Sequence, residues 1–143
     1  MESIMNRPLK FRVWDKYQNK FLPSYGDLGI LFYHEQGESW HSKGIRDIVP
    51  VSWFLTAHNN NLGNYIVQQY TGLKDSKGTD IYEGDIYYDK IYKAYCQCIW
   101  DVERLTYRWV GKNMSLPIGP RDDDMSVEVK IVGNIFENPE LLN

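Results

Sequence analysis

Toward its C-terminus the chain alternates apolar and charged side chains. Between Met125 and Val132, Val127, Val129 and Ile131 share one side of an extended backbone, and Glu128 and Lys130 share the other. Successive side chains of a strand point to opposite faces, so this period of two predicts a half-buried β-strand. Lys10–Asp15 repeats the pattern, with Phe11 and Val13 on one face and Arg12 and Trp14 on the other. Turn chemistry separates such runs. Asp15–Asn19 supplies turn residues, and Lys20–Pro23 returns as the second strand of a hairpin. Asp75-Ser-Lys-Gly78 fits a type I turn, with Asp at its first position and Gly at its fourth.

Leu28–Tyr33 is another apolar run, bounded by Gly26, Gly29 and Gly37, and further strands are expected at Tyr65–Gly72 ending on Gly72, around Ile81–Tyr88 pivoting on Gly84, at Lys93–Trp100 and at Thr106–Val110. Gly111–Asp124 reads as loop, with Pro117, Gly119, Pro120 and the acidic run Asp122–Asp124. Periodicity leaves Pro50–Ala57 open between helix and strand. Asn138-Pro-Glu-Leu-Leu signals one final turn of helix, with Asn138 as cap and Pro139 at the first helical position. The expected fold class is mainly β, with a β-rich α+β arrangement as the alternative.

The strongest breaker is His58-Asn-Asn-Asn-Leu-Gly63, where consecutive Asn and Gly favour turns and left-handed backbone. It divides the chain into an N-terminal β-hairpin or meander region, 1–62, and a C-terminal region, 63–143, with a single compact unit as the other arrangement. The five-strand pattern of the second region resembles small SH3-like barrels, an analogy of fold that carries no function.

Charge and cysteine content narrow the classes of function. The net charge is −3, so the chain as a whole does not attract phosphate backbones. The cysteines Cys96 and Cys98 lie one residue apart on the same side of a strand, whereas a disulfide-stapled secreted domain needs more, and more widely spaced, cysteines. The N-terminus lacks the apolar stretch of a signal peptide, and no apolar run reaches the length of a membrane span. A cytoplasmic location is expected.

No catalytic, cofactor or metal site emerges. Cys96 and Cys98 lack two further ligands nearby, since His34, His41 and His58 all lie in the other half. Asp122–Asp124 with Glu128 lacks the ligand spacing of a calcium loop. No serine has the glycine-flanked setting of a nucleophile elbow, and no glycine loop suits a phosphate. Glu83 and Asp85 flank Gly84, where carboxylates at a turn bond backbone amides more readily than they do acid–base work.

Aromatic residues are the most unusual feature, at 15% of the chain, with Trp and Tyr supplying five and eleven. Both types join a large apolar body to a polar tip and favour half-buried sheet surfaces and interfaces. Trp40, Trp53 and Phe54 are the candidate interface residues of a self-associating protein. Trp100, Arg104, Tyr107, Arg108 and Trp109 interleave rings and guanidinium groups, the pattern of a surface for single-stranded nucleic acid.

Four segments together resemble the YopX family. They are Lys10-Phe-Arg-Val-Trp-Asp15, Gln69-Tyr-Thr-Gly-Leu-Lys-Asp75, Ile81-Tyr-Glu-Gly-Asp-Ile86 and Ile131-Val-Gly-Asn-Ile-Phe-Glu-Asn-Pro-Glu-Leu-Leu142. They keep the family's order and nearly span the chain, and the match thins between Gly26 and Asn64. The resemblance implies a bacteriophage or prophage protein and no established activity. Functionally, the expectation is a non-enzymatic accessory protein that binds another protein, itself included, forming a homo-oligomer. The alternative is a small barrel for single-stranded nucleic acid.

Overall fold

The computed structural model describes residues 8–25, 29–33, 46–50, 64–119 and 128–143. It is mainly β, as the alternation predicts, and among the described residues the one helical element is a 3₁₀ turn. The His58–Gly63 breaker and residues 51–57 lie outside the described residues. Two compact units divide the chain, Met1–Gln68 and Gln69–Asn143.

In the first unit, β1 (Phe11–Asp15) and β2 (Lys20–Phe21) form the expected hairpin. Val13 and Leu22 are its buried core, with Phe11, Tyr65 and Val67 packed around them. Trp14 sits edge-on to Phe21 at 4.9 Å between ring centroids. β3 (Ser24–Tyr25), β4 (Gly29–Tyr33) and β5 (Arg46–Pro50) make a second, three-stranded antiparallel sheet.

β6 (Tyr65–Lys74) begins in the first unit and continues into the second, where it pairs with β7 (Asp80–Tyr82). It does not end at Gly72. That glycine takes φ +90, and the pairing register shifts between Tyr70 and Lys74, so the strand passes through a bulge and continues. The turn after it is as expected. The Gly78 N–H donates to the Asp75 carbonyl at 3.0 Å, and Gly78 takes φ +83, a backbone setting that disfavours side chains.

The rest of the second unit is a curled, five-stranded antiparallel sheet. Its strands are β8 (Asp85–Asp89), β9 (Ala94–Asp101), β10 (Thr106–Gly111), β11 (Met114–Pro117) and β12 (Ile131–Asn134), in the order β11-β10-β9-β8-β12. Period two decides which residues enter the core. Tyr87, Cys96, Cys98, Tyr107 and Trp109 fall on one face and are buried together with Ile81, flanked by Met114, Leu116 and Ile131. Burying such a set is the main source of stability, at about 1.5–3 kcal/mol per large apolar side chain.

Two expectations are corrected here. Met114–Pro117 is a strand within the segment read as loop, because Asn113, at φ +61, closes a tight turn back onto β10. The final strand starts at Ile131, and residues 128–130 are not strand. There the Val129 carbonyl and the Ile131 N–H bond the Ser76 N–H and the Asp75 carboxylate instead of a ladder. This strand pairs with β8, in the register Ile131 with Tyr87 and Asn134 with Asp85. The terminal 3₁₀ helix, Pro139–Leu142, has Pro at its start as expected and lies against β9. Asn138 makes no side-chain cap there; its Oδ1 faces the Asn134 N–H at 3.4 Å.

Candidate functional site

The carboxylates of the second unit show what this sheet does with its chemically versatile groups. Glu83 Oε2 accepts the Gln69 N–H at 2.9 Å, and its Oε1 accepts the Tyr107 hydroxyl at 3.3 Å. Asp85 Oδ2 accepts the Tyr82 N–H at 2.8 Å. The expected backbone role of this pair is therefore what the geometry contains. Asp75 bonds the N–H groups of Lys77, Thr79 and Ile131. Burial pushes its carboxyl up, yet these three N–H donors, together with the Thr79 side chain, outweigh burial and hold it below the ordinary aspartate value of 3.8.

Three hairpins share one turn design. Asp15, Asp89 and Asp101 each precede a four-residue loop, and each Oδ1 accepts the N–H groups two and three residues on. The fourth loop residue, Asn19, Lys93 or Leu105, takes φ between +50 and +53. Aspartate holds the loop start, and the left-handed residue rejoins the returning strand. At Asp89 the carboxylate is fully buried and also accepts the Tyr87 hydroxyl at 2.6 Å. At Asp101 the side-chain hydrogen bond from Arg104, at 2.9 Å, is the main cause that holds the carboxyl below its ordinary value, with the Arg104 and Glu103 N–H groups adding to it.

Successive turns of such a meander lie at opposite ends of the sheet. The β9–β10 turn and the strand residues beside it present Trp100 (43% exposed), Val102 (72%) and Leu105 (74%) to solvent. At the other end, the β8–β9 hairpin exposes Tyr88, Ile91, Tyr92 and Tyr95. These exposed residues, apart from Trp100, escaped the sequence reading. Their signal was available, since four-residue loops opened by Asp ordinarily carry polar residues, whereas these two carry Ile91, Tyr92, Val102 and Leu105.

The five residues read as a nucleic-acid surface are divided by the sheet. Tyr107 and Trp109 are 5% and 2% exposed, with Trp109 against Tyr87 at 4.6 Å, so their ring faces are used inside the core. Trp100 lies on the same face at its rim, edge-on to Tyr107 at 4.9 Å. Arg108 points to the opposite face and donates from Nε to the Ser115 hydroxyl at 2.7 Å. Arg104 sits in the turn beside Asp101. Trp40, Trp53 and Phe54 lie outside the described residues, as do the three histidines and Asp122–Asp124. Cys96 and Cys98 are buried in the core and form no disulfide. Among the described residues no helix is long and apolar enough to cross a membrane.

Taken together, the meander and its Asp-opened hairpins define a small antiparallel β protein whose most distinctive exposed features are its turns. The family model of the YopX protein matches residues 10–143, and the chain belongs to the YopX family. Its structure is similar to the crystal structure of protein EF1440 from Enterococcus faecalis, with a TM-score of 0.56 and 27% identity. That match covers 94% of this chain and 98% of the other. No curated protein matches the chain.

Proposed function

We propose that this member of the YopX family is a phage- or prophage-encoded accessory protein without enzymatic activity. It works in the cytoplasm by binding another protein, a second copy of itself included. The proposal treats the curled sheet as part of a small SH3-like barrel that holds its hairpin turns rigidly. The observation that carries it is the β9–β10 turn, where Trp100, Val102 and Leu105 stand exposed within six residues. Exposed apolar residues scattered singly are ordinary, but a cluster on one rigid turn fits a protein contact. The ion pair between Arg104 and Asp101 neutralises charge beside the cluster, which lowers the cost of covering it. Trp40, Trp53 and Phe54 are proposed contributors on their residue types alone.

The test is mass by light scattering behind a sizing column across the micromolar range. An oligomer is expected for the native chain, and a lower mass for Val102→Ser/Leu105→Asn. A monomer at every concentration ends self-association, and an unchanged oligomer in the double variant removes this turn from the interface. Trp53→Ala tests the other segment in the same way. A pull-down from host lysate, with and without nuclease, reads the wider protein-binding claim; a yield of nucleic acid alone would overturn it.

A further inference from the structure

The whole-chain charge of −3 conceals a local asymmetry that follows from topology. The β8–β9 and β10–β11 turns lie at the same end of the five-stranded sheet, because the turns of a meander alternate ends. Their charged side chains are Lys90, Lys93, Lys112 and Asp89. The lysines are exposed. Asp89 is fully buried and holds its own turn through the Ile91 and Tyr92 N–H groups and the Tyr87 hydroxyl. The surface of these two turns is therefore basic, although the unit's sequence is acidic.

Rings accompany the lysines. Tyr88 and Tyr95 face one another across β8 and β9 with centroids 5.0 Å apart, and both are partly exposed. Tyr92, in the turn between Lys90 and Lys93, is 55% exposed. Its backbone N–H, not its ring, serves Asp89. Lysines alone suit any polyanion. Lysines interleaved with accessible tyrosine rings suit a polyanion that also offers flat, unstacked bases. We propose that this end of the sheet binds single-stranded nucleic acid, with Lys90, Lys93 and Lys112 at phosphates and Tyr92, with Tyr88 and Tyr95, against bases. The opposite end does not suit this ligand, since Asp101 and Glu103 accompany Arg104 there. The two surfaces are separate, so this site stands whether or not the chain self-associates.

Fluorescence anisotropy of a labelled oligothymidine with the full chain tests the proposal. At low salt a saturable rise is expected, and three phosphate contacts give a slope of log K against log salt of about −2. Lys90→Glu/Lys93→Glu should weaken binding at least about tenfold and flatten that slope. Tyr92→Ala should weaken it by roughly tenfold with little change in slope. Tyr92 is exposed and its ring is not used in the turn, so that variant keeps its fold; circular dichroism checks both. No binding at low salt would overturn the proposal, as would native-like affinity in the lysine and tyrosine variants. Equal displacement by polyglutamate, which has charge without bases, would also overturn it and point to an acidic protein ligand.

Discussion

Asp15, Asp89 and Asp101 open turns of one design, but their surroundings make them unequal. Asp101 is partly open to solvent and shares its charge with Arg104, whereas Asp89 has no exposed surface and is one acceptor for three donors. Replacing Asp89 by alanine takes an acceptor from the buried Tyr87 hydroxyl and from two turn N–H groups, at about 1–3 kcal/mol for each group left unsatisfied. We expect Asp89→Ala to lower stability by about 3 kcal/mol or more in urea denaturation. Asp101→Ala should cost less, because water replaces the lost acceptor. Leu105 presents the reverse case. A leucine at φ +53 is strained, and asparagine tolerates that conformation better. Leu105→Asn should therefore raise stability by about 0.5–1 kcal/mol. Keeping leucine in a strained and exposed position has no structural benefit that the fold reveals, which agrees with a role in contact. A drop in stability for Leu105→Asn would remove that argument.

At the scale of elements, the C-terminal tail depends on a close approach. Gly133 lies where β12 departs from regular pairing with β8, and a Cβ there would run into the Asn138 side chain, its own Cβ included. The reason for glycine here is space, whereas at Gly72, Gly78 and Gly84 it is positive φ. Gly133→Ala should displace Asn138, loosen the 3₁₀ helix from β9 and cost about 1–3 kcal/mol, in the range of overpacked sites. Amide exchange that rises first at residues 138–143 would locate the effect; unchanged exchange there would refute it. Strand β11 shows why the sequence misled at this scale. Met114–Pro117 carries a proline and follows Asn113, both loop signals, yet it pairs with β10 because proline is tolerated at a sheet's outer strand.

For the second unit as a whole, Asp75 is a tie. It fastens the β6–β7 turn to the start of β12, residues far apart in sequence. Its carboxyl is held below the ordinary aspartate value in the folded chain, so its contribution is complete above that value and is lost as pH falls through the lower, folded one. Urea midpoints measured from pH 7 down to pH 3 should fall at the acid end. In Asp75→Asn the protein should be weaker at pH 7 and its acid slope shallower. An acid slope identical to that of the native chain would exclude Asp75 as a source of it.

What the sequence determined by itself was the class of fold and its most local devices. Period-two alternation at Phe11–Asp15, the type I turn at Asp75–Gly78 and the thiols on one side of β9 depend on neighbours a few residues apart, and short-range sterics and hydrogen bonding suffice to specify them. Tertiary structure decided what required distant partners. Tyr107 and Trp109 alternate with Arg108 along β10, and only the sheet's packed face puts their rings inside while Trp100 stays at the rim. The basic surface of the β8–β9 and β10–β11 turns was likewise hidden, because formal charge counts Asp89 equally with Lys90. Burial and hydrogen bonding remove Asp89 from the surface and leave the lysines on it, and only the folded chain decides which charges meet water.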